Sequence, residues 1–290
     1  MSAAPCVTVG IPFFDEESRL AGAVRSILAQ SVTAIEVLLV DDGSTDRSLE
    51  IARSITDPRV RVFSDGTRRR LPARLNEIAR LARAPLVARM DADDVSHPER
   101  LARELALLDD DARYDAVGTW IGLVDEADRP FSVIDCDVSE ITPASVLRRG
   151  LFPHATMLAR RDWLLANPYD EALYRAEDRD LWCRTLKTSR FGVLPAVLYV
   201  VRASTRGEFL ADYRASQRQN RTLFLRYGPA AMGIRRTAAS WLSSQAKSLA
   251  MTAAVHAGLA ERLVHRRGRP PTREELDAID AALAAGSQST

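Results

Sequence analysis

The first 90 residues alternate short apolar runs with amphipathic segments, and this alternation constrains the fold more than any other feature. Four runs are short and apolar enough to be buried strands, and they lie at residues 7–11, 35–40, 60–63 and 86–90. Segments with helical character separate them: 17–30, a stretch that ends at Ser54, and 73–82. Strands that alternate with helices at this spacing predict an α/β fold with a mostly parallel sheet sandwiched by helices.

Acidic residues follow three of these strands directly. Asp15 comes after the first strand, Asp41-Asp42 after the second, and Asp91-Ala92-Asp93-Asp94 after the fourth. In open parallel sheets, ligands bind outside the carboxyl ends of the strands. We therefore expect these three loops to converge on one edge of the sheet and to form a binding site there.

The densest of these loops is the acidic cluster at residues 91–94. Because successive side chains of a strand point to opposite faces, Asp91 and Asp93 point the same way and repel each other unless a cation lies between them. Oxygen-only ligands suit Mg²⁺ or Mn²⁺ better than zinc. An EF-hand is excluded, because Val95 stands where an oxygen ligand is needed and no glycine follows Asp94. A solvated acidic turn remains the alternative.

The pattern changes after Arg100. A helix to about residue 108, a strand near 116–118 and a mixed segment at 123–137 precede a predicted strand at 151–158 that carries His154. Helices are predicted at 161–167 and 177–187, followed by a strand at 192–201. From about Thr205 the chain is predicted to be helical, with a break at Pro270-Pro271. Trp241, Leu242 and Leu249 in this tail could pack on the rest of the chain, on a partner or on a membrane surface, and we expect the first.

Composition excludes several classes of protein. A net charge of +1 gives no reason to expect a nucleic-acid partner. Three widely spaced cysteines form neither a disulfide framework nor a zinc site. The chain shows no secretory signal and no apolar run long enough to span a membrane. We expect a cytoplasmic protein that is at most peripheral at the inner membrane face.

Four motifs, in order and at the usual spacing, resemble those of family 2 glycosyltransferases. They cover about residues 5–205 and comprise residues 7–17, the Asp-Asp-Gly-Ser-Thr-Asp run at 41–46, residues 88–94, and the Glu-Asp motif in 176–182. The resemblance implies a GT-A (Rossmann-like) glycosyltransferase domain over 1–205, with a nucleotide-sugar half at about 1–100 and an acceptor half at about 101–205. A helical C-terminal region would occupy 206–290. The Q-x-x-R-W signature of processive synthases is absent, so the resemblance implies one sugar per encounter.

On the donor side, the resemblance assigns a role to each matching position. Asp42 would accept a hydrogen bond from the nucleotide base, and Pro12, Phe14 and Glu16 belong to the loop around uracil and ribose. Relatives usually have Tyr and Asn where this chain has Phe14 and Asp15, which removes a polar contact. Arg70 is the candidate for a diphosphate contact, because a planar guanidinium near a helix start suits phosphate oxygens.

At the reacting centre, Asp93 is implied as the main ligand of a divalent metal, Mn²⁺ or Mg²⁺. Asp91 would be a further ligand close to the sugar or ribose, and Asp94 would support them. The Glu177-Asp178 pair matches the motif that supplies the catalytic base in inverting relatives, with Asp178 as the base; a plain acidic helix start is the structural alternative. His154 also matches a recurring position and would line the acceptor side, or act as a structural histidine.

These residues predict a metal-dependent inverting glycosyltransferase. Its donor would be a nucleotide-diphospho-sugar, with a UDP-sugar as the first expectation, and its acceptor a hydroxyl of a glycan or lipid-linked molecule. By family association this reaction serves bacterial surface polysaccharide or cell-envelope synthesis. Two alternatives stay open: a catalytically inactive nucleotide-sugar-binding subunit, and a haloacid-dehalogenase-type phosphatase, whose D-x-D-x-V loop residues 91–95 superficially resemble.

Overall fold

One mixed β-sheet organises the chain in the computed structural model, which describes residues 4–110, 114–136, 141–203, 209–259, 262, 265 and 267–287. The strands are β1 Val7–Phe13, β2 Ile35–Asp41, β3 Val60–Ser64, β4 Leu86–Arg89, β5 Val95–Ser96, β6 Ala116–Val124, β7 Pro130–Ile134, β8 Leu158–Arg160 and β9 Phe191–Arg202. Their order in the sheet is β3-β2-β1-β4-β8-β6-β9-β5, and β7 pairs with β6.

Helices cover both faces of the sheet. They are α1 Leu20–Leu28, α2 Ser48–Ser54, α3 Leu71–Leu81, α4 Arg100–Asp110, α5 Pro143–Arg149, α6 Arg161–Ala166, α7 Glu177–Thr185, α8 Phe209–Met232, α9 Ile234–His256 and α10 Arg273–Ser287. Strands β1 to β4 are parallel where they pair, as the alternation predicts, whereas β8 runs antiparallel to both β4 and β6. The predicted α/β fold with a mostly parallel sheet is confirmed.

The core is split by the sheet into two layers. Ile11, Leu20 and Ile27 belong to the layer under α1, whereas Leu38 and Trp182 belong to the layer under α3 and α7. Helix α3 lies close to β1 because Gly10 has no side chain: a Cβ there would be 2.3 Å from Cγ2 of Ile78. This close approach brings the start of α3 to the edge where β1 and β2 end.

The last helix, α10, completes the core at the β5 edge. Ile279 and Ala282 are fully buried in one cluster with Val95, Val197 and Val200. The Arg25 side chain of α1 also donates to the carbonyl of Gly286 at 2.9 Å. The predicted C-terminal helical region therefore contains a helix that packs into the same sheet as the predicted glycosyltransferase domain.

Helices α8 and α9 form a hairpin that leaves apolar side chains uncovered. Leu242 is 61% exposed and Leu249 is 72% exposed, so the expectation that these two pack on the enzyme is wrong. Trp241 is half-buried, with the Arg221 guanidinium 6.0 Å from its ring centroid. None of the described helices is long and apolar enough to cross a bilayer.

Two local predictions are wrong, each for a visible reason. His154 does not lie in a strand over 151–158: residues His154–Thr156 form a 3₁₀ turn, and β8 begins only at Leu158. The Thr156 hydroxyl donates to the carbonyl of Pro153 at 2.8 Å and closes this turn. Helix α1 begins at Leu20 rather than at residue 17, because the amides of Glu16 and Glu17 donate instead to the side chains of Ser48, at the start of α2, and of Asp46 in the preceding loop.

Candidate active site

The strand-end loops lie side by side at one edge of the sheet. Strands β2, β1 and β4 are neighbours, so the loops that follow them are adjacent. The Asp42 amide donates to the carbonyl of Phe13 at 2.8 Å. The Asp15 carboxylate accepts from the amides of Thr45 and Asp46, at 2.6 and 3.2 Å. Asp15 therefore ties the first two loops together, which gives this departure from the family pattern a structural role.

The first cleft, of about 400 Å³, opens beside these loops and is lined by Pro12, Phe14, Asp42 and Arg70. Its opposite wall comes from Tyr174 and from α8. The Arg68 guanidinium lies 3.6 Å from the ring centroid of Phe14, and that of Arg70 lies 4.2 Å from the ring of Tyr174. Cations stacked on aromatic rings keep hydrogen-bond donors free for a ligand. The cleft thus combines apolar walls with two arginines that are stacked on aromatic rings.

Asp42 fixes the loop that carries these arginines. Its carboxylate accepts from the amides of Arg69 and Arg70, with shortest distances of 2.7 and 3.0 Å, and from Nε of Arg74 at 2.9 Å. The Arg74 side chain is fully buried and also contacts Asp65 and Glu77. Arg70 has a left-handed backbone (φ 69°), a conformation that an arginine adopts only when surrounding contacts hold it. Asp42 therefore shapes the cleft as well as lining it.

The acidic cluster crowds carboxylates at the end of β4. Burial, followed by the charge of Asp91, raises the pKa of Asp93 to about 6. Burial, followed by Asp93 and Asp91, raises the pKa of Glu16 to about 7 and that of Asp94 well above its usual range. Such shifts show that the carboxylates repel one another when all are ionised.

The backbone of this cluster is held from β9. The Asp91 amide donates to the Tyr199 hydroxyl at 2.9 Å, and the Asp94 carboxylate accepts from the amide of Arg202 at 3.2 Å. The Arg202 side chain donates to the carbonyl of Asp93 at 2.9 Å. These contacts fix the position of the carboxylates without neutralising the Asp93 side chain.

The residues at the cluster are compatible with a divalent metal that shares ligands with a substrate. Within the described ranges, no three His, Cys, Asp or Glu side chains form a set that could hold a metal ion alone. Mg²⁺ sites in proteins commonly use one or two carboxylates plus substrate phosphates. Asp93 and Asp91 supply such oxygens, and a cation there would relieve the repulsion that raises the pKa of Asp93.

Arg89 contacts the acidic cluster and acts through its charge on Glu177. Its side chain is 6% exposed and its Nη2 lies 2.6 Å from Oδ1 of Asp91. Burial, followed by the Arg89 charge, holds the pKa of His154 well below its usual range. The Arg89 charge also lowers the pKa of Glu177, whereas the Asp91 charge raises it. One buried cation therefore lies within electrostatic range of both acidic pairs.

Glu177 and His154 form a neutral pair beside this cation. Nδ1 of His154 lies 3.7 Å from Oε1 of Glu177, and Nε2 lies 2.8 Å from the Tyr169 hydroxyl. Burial, followed by the charge of Asp178, raises the pKa of Glu177 to about 8. At neutral pH the carboxyl keeps its proton and the imidazole is uncharged, so this contact is not an ion pair.

Asp178 and His154 line a second cavity, of about 550 Å³, together with residues from β6, β7 and the α5–β8 loop. The Asp178 carboxylate accepts from the amide of Arg179 at 2.7 Å, which orients it at the start of α7. A hydroxyl-bearing molecule in this cavity would have a carboxylate available as a proton acceptor.

The structure brings the predicted site residues together in three groups. Pro12, Phe14, Asp42 and Arg70 line the first cleft; Glu16, Asp91, Asp93 and Asp94 interact at the end of β4; and His154 and Asp178 line the second cavity, with Glu177 beside them. Sequence reasoning missed Arg89 and Arg74. Each is a charged residue inside an apolar segment, a signal of a buried ion pair that could have identified both.

The sequence profile of Glycosyl transferase family 2 matches residues 8–164. EpsE of Bacillus subtilis, which is named as a glycosyltransferase, is 33% identical over 211 residues that span 70% of this chain and 74% of EpsE. The succinoglycan biosynthesis protein ExoU of Rhizobium meliloti is 31% identical over 66% of this chain and 60% of its own length.

Solved structures share the fold. A mannosyltransferase of Pyrobaculum calidifontis, solved with GDP-Man and Mn²⁺, aligns with a TM-score of 0.62 and 19% identity over 98% of this chain and 86% of its own. TarS of S. aureus, solved with UDP, aligns with a TM-score of 0.59 and 22% identity over 76% of this chain and 66% of its own. The predicted GT-A fold is confirmed by these similarities.

Proposed function

This chain belongs to glycosyl transferase family 2, and we propose that it transfers a sugar from a nucleotide-diphospho-sugar to an acceptor hydroxyl with inversion at the anomeric carbon. The resemblance inferred from the four motifs is confirmed, as is the expectation of a glycosyltransferase enzyme. Family membership argues against the phosphatase alternative. We further propose the donor, the metal, the stereochemistry and the role of each side chain.

One observation supports this proposal most: the buried Arg89 contacts Asp91 and acts through its charge on Glu177, so one cation influences both acidic pairs. The first pair, Asp91 and Asp93, follows β4 beside the cleft with apolar walls and arginines. In the second pair, Asp178 lines the other cavity and the buried Glu177 precedes it in the chain. Transfer of a sugar requires a donor site and an acceptor site with a leaving group on one side and a base on the other. The arrangement supports an assignment of one space to the donor and the other to the acceptor.

On the donor side, we assign the base and ribose to the first cleft. Phe14 and Pro12 would pack on the base, and the Asp42 carboxylate would accept from it. Arg70 would donate to the diphosphate, since its guanidinium is stacked on Tyr174 rather than bound to a carboxylate in the described residues. Glu16 and Asp94 would complete the acidic environment. A UDP-sugar is the proposed donor, although the structural relatives include complexes with both UDP and GDP-Man.

Asp93 and Asp91 would hold the divalent metal, Mn²⁺ or Mg²⁺, which when bound supplies positive charge that stabilises the leaving diphosphate. Neighbouring side chains hold these two carboxylates in position. Arg89 holds Asp91 through the 2.6 Å contact, so this carboxylate is kept in place and partly neutralised when no ligand is present. Arg202 and Tyr199 fix the backbone on either side of the cluster.

On the acceptor side, Asp178 is the proposed general base. The acceptor hydroxyl would lie in the second cavity, lose its proton to the Asp178 carboxylate, and attack the anomeric carbon as its bond to the diphosphate breaks. The products are the glycoside, a nucleoside diphosphate and protonated Asp178. Neutral Glu177 and His154 would line the acceptor side without adding a charge that competes for the proton.

The acceptor class is proposed from the relatives. ExoU is named for succinoglycan biosynthesis, and a further relative is the chondroitin synthase of Escherichia coli, 27% identical over 67% of this chain. We infer a glycan or lipid-linked glycan acceptor in bacterial surface polysaccharide or cell-envelope synthesis.

A panel of nucleotide sugars tests the proposal. UDP-glucose, UDP-GlcNAc and GDP-mannose are incubated with the chain and Mn²⁺, and release of the nucleoside diphosphate is measured with water or added glycans as acceptor. We expect one donor to be used. Asp178→Asn should keep nucleotide affinity and lower turnover by about a hundredfold or more, whereas Asp93→Asn should lower both. Binding of a nucleotide without turnover under any condition would instead indicate the inactive binding subunit.

A further inference from the structure

Helix α9 directs its leucines away from the rest of the fold. The residues that it buries are mostly small or polar: Thr237, Ser244, Met251 and Ala254. The Ser244 hydroxyl donates to Oε1 of Gln217 at 2.8 Å, so a polar contact helps to hold this inner face on α8. Leu242 and Leu249 are instead exposed. A surface helix of a globular protein buries its apolar face, and α9 shows the opposite arrangement.

The exposed apolar residues of α9 form one continuous strip. Its members are all exposed, and they are Ala238, Leu242, Ala246, Leu249 and Ala253. Successive members are three or four residues apart, which places them on the same face of the helix. At about 1.5 Å per residue the strip is about 22 Å long. It therefore extends along most of this 23-residue helix.

Large exposed apolar side chains are concentrated in this part of the chain. Of the six among the described residues, five lie between residues 225 and 259: Leu225, Ile234, Leu242, Leu249 and Leu259. The sixth is Leu165 of α6. Single exposed leucines scattered over a surface need no explanation, whereas a concentration of them marks an interaction surface. The α8–α9 hairpin is therefore the place to look for a partner.

Unpaired cations accompany the apolar strip. Arg235, Arg236 and Lys247 are exposed, and α9 contains no acidic residue. None of the three has an ion-pair partner among the residues that the structure describes. Because Arg236 and Lys247 are about three helical turns apart, both lie on one flank of the strip. The whole chain has 40 Lys and Arg against 39 Asp and Glu, so α9 is a local excess of positive charge.

The charge of α9 decides between the possible occupants of its exposed face. A second copy of the chain packed through α9 would bring two cationic helices together with no acidic residue on either helix, and the like charges would repel each other. An anionic partner relieves this repulsion. A helix with one apolar face flanked by Arg and Lys has the pattern of helices that lie in the plane of an anionic lipid surface.

We propose that the exposed face of α9 docks on an anionic lipid surface. Leu242 and Leu249 would enter the boundary between headgroups and acyl chains, and Arg235, Arg236 and Lys247 would contact the anionic headgroups. The aliphatic stems of these cations can lie along the apolar strip while their charged ends reach the headgroups. Docking through α9 does not depend on the reaction proposed above, so the failure of one leaves the other intact.

Co-sedimentation with phosphatidylcholine vesicles, with and without added phosphatidylglycerol, tests the proposal. The wild type should bind the anionic vesicles at least about tenfold more tightly than the neutral ones, and added salt should weaken this binding. Leu249→Ser should lower the affinity for anionic vesicles about tenfold. Arg235→Ala combined with Arg236→Ala should lower it about tenfold or more. These positions are exposed, so the fold should persist, and unchanged urea midpoints verify this.

Matched controls remove the same groups elsewhere. Leu165→Ser removes the exposed leucine of α6, and Arg53→Ala combined with Arg80→Ala removes two exposed cations from α2 and α3. Both controls should keep the affinity of the wild type within about twofold. No binding to anionic vesicles, equal binding to neutral ones, or equal losses in the control and α9 variants would overturn the proposal. So would a dimer in the absence of vesicles that Leu249→Ser dissociates, because a second copy would then cover this face.

Discussion

Glu177 is a buried carboxyl that stays neutral, and replacing it by Gln measures how its bound proton makes the stability of the fold depend on pH. Its side chain is 7% exposed and its Oε2 has no partner in the described residues. Burial, followed by the charge of Asp178, raises its pKa from 4.5 to about 8. In the folded protein the group therefore holds a proton at pH 7 that the unfolded chain releases.

The raised pKa of Glu177 makes the free energy of unfolding depend on pH. Because the folded state binds more protons than the unfolded state between about pH 4.5 and pH 8, stability falls as pH rises through this window. Each unit of pKa difference corresponds to about 1.4 kcal/mol. From pH 5 to pH 8, Glu177 should therefore lower the free energy of unfolding by about 3 kcal/mol. Gln resembles the neutral carboxyl in shape and does not titrate, so Glu177→Gln should lack this contribution.

Urea unfolding at several pH values between 5 and 8 tests this expectation. The free energy of unfolding of Glu177→Gln minus that of the wild type should increase by about 3 kcal/mol across the range. Glu274→Gln, on the exposed side of α10, is the matched control and should give a constant difference. A constant difference for Glu177→Gln as well would refute the reasoning, since it would mean that the folded state holds Glu177 ionised.

Three further changes test individual contacts. Asp42→Ala removes the acceptor of three hydrogen bonds and should lower the free energy of unfolding by about 3 kcal/mol; unchanged urea midpoints would contradict this role. Arg100→Met leaves the carboxyl of Glu104 without its fully buried salt-bridge partner and should lower the free energy of unfolding by about 3–5 kcal/mol. Adding Glu104→Leu should recover most of this loss; equal losses in the single and the double variant would contradict the pairing. Gly122→Ala places a Cβ 2.6 Å from the Ile279 side chain and should lower thermal stability, with partial recovery in Ile279→Val; no recovery would contradict the packing of α10.

The donor half of the fold could be predicted from the sequence because its strands are continuous apolar runs. Strands β1, β2 and β4 are buried along nearly their whole length, and an acidic residue follows the end of each within two positions. Parallel strands place such ends at one edge, so the neighbourhood of Asp42 and Asp93 follows from the pattern alone. Their roles depended on the family resemblance.

The other features of the fold and of the site depend on long-range contacts, which no local sequence pattern contains. His154 looked like a strand residue because apolar residues surround it, but Pro153 and Thr156 close a turn there. Helix α10 begins 71 residues after β9 ends, and Ile279 and Ala282 pack on that strand. Arg89 contacts Asp91 through its side chain and acts on Glu177 only through its charge. The exposure of Leu242 likewise depends on what packs nearby.

The central claim is that a nucleotide diphosphate binds beside Asp93 through a shared divalent cation, and calorimetric titration of UDP with and without Mn²⁺ tests it most directly. Mn²⁺ should strengthen UDP binding to the wild type at least tenfold. Asp93→Asn should abolish this gain, and the exposed control Glu274→Gln should retain it. UDP affinity that is independent of Mn²⁺, or a metal effect that persists in Asp93→Asn, would contradict the claim.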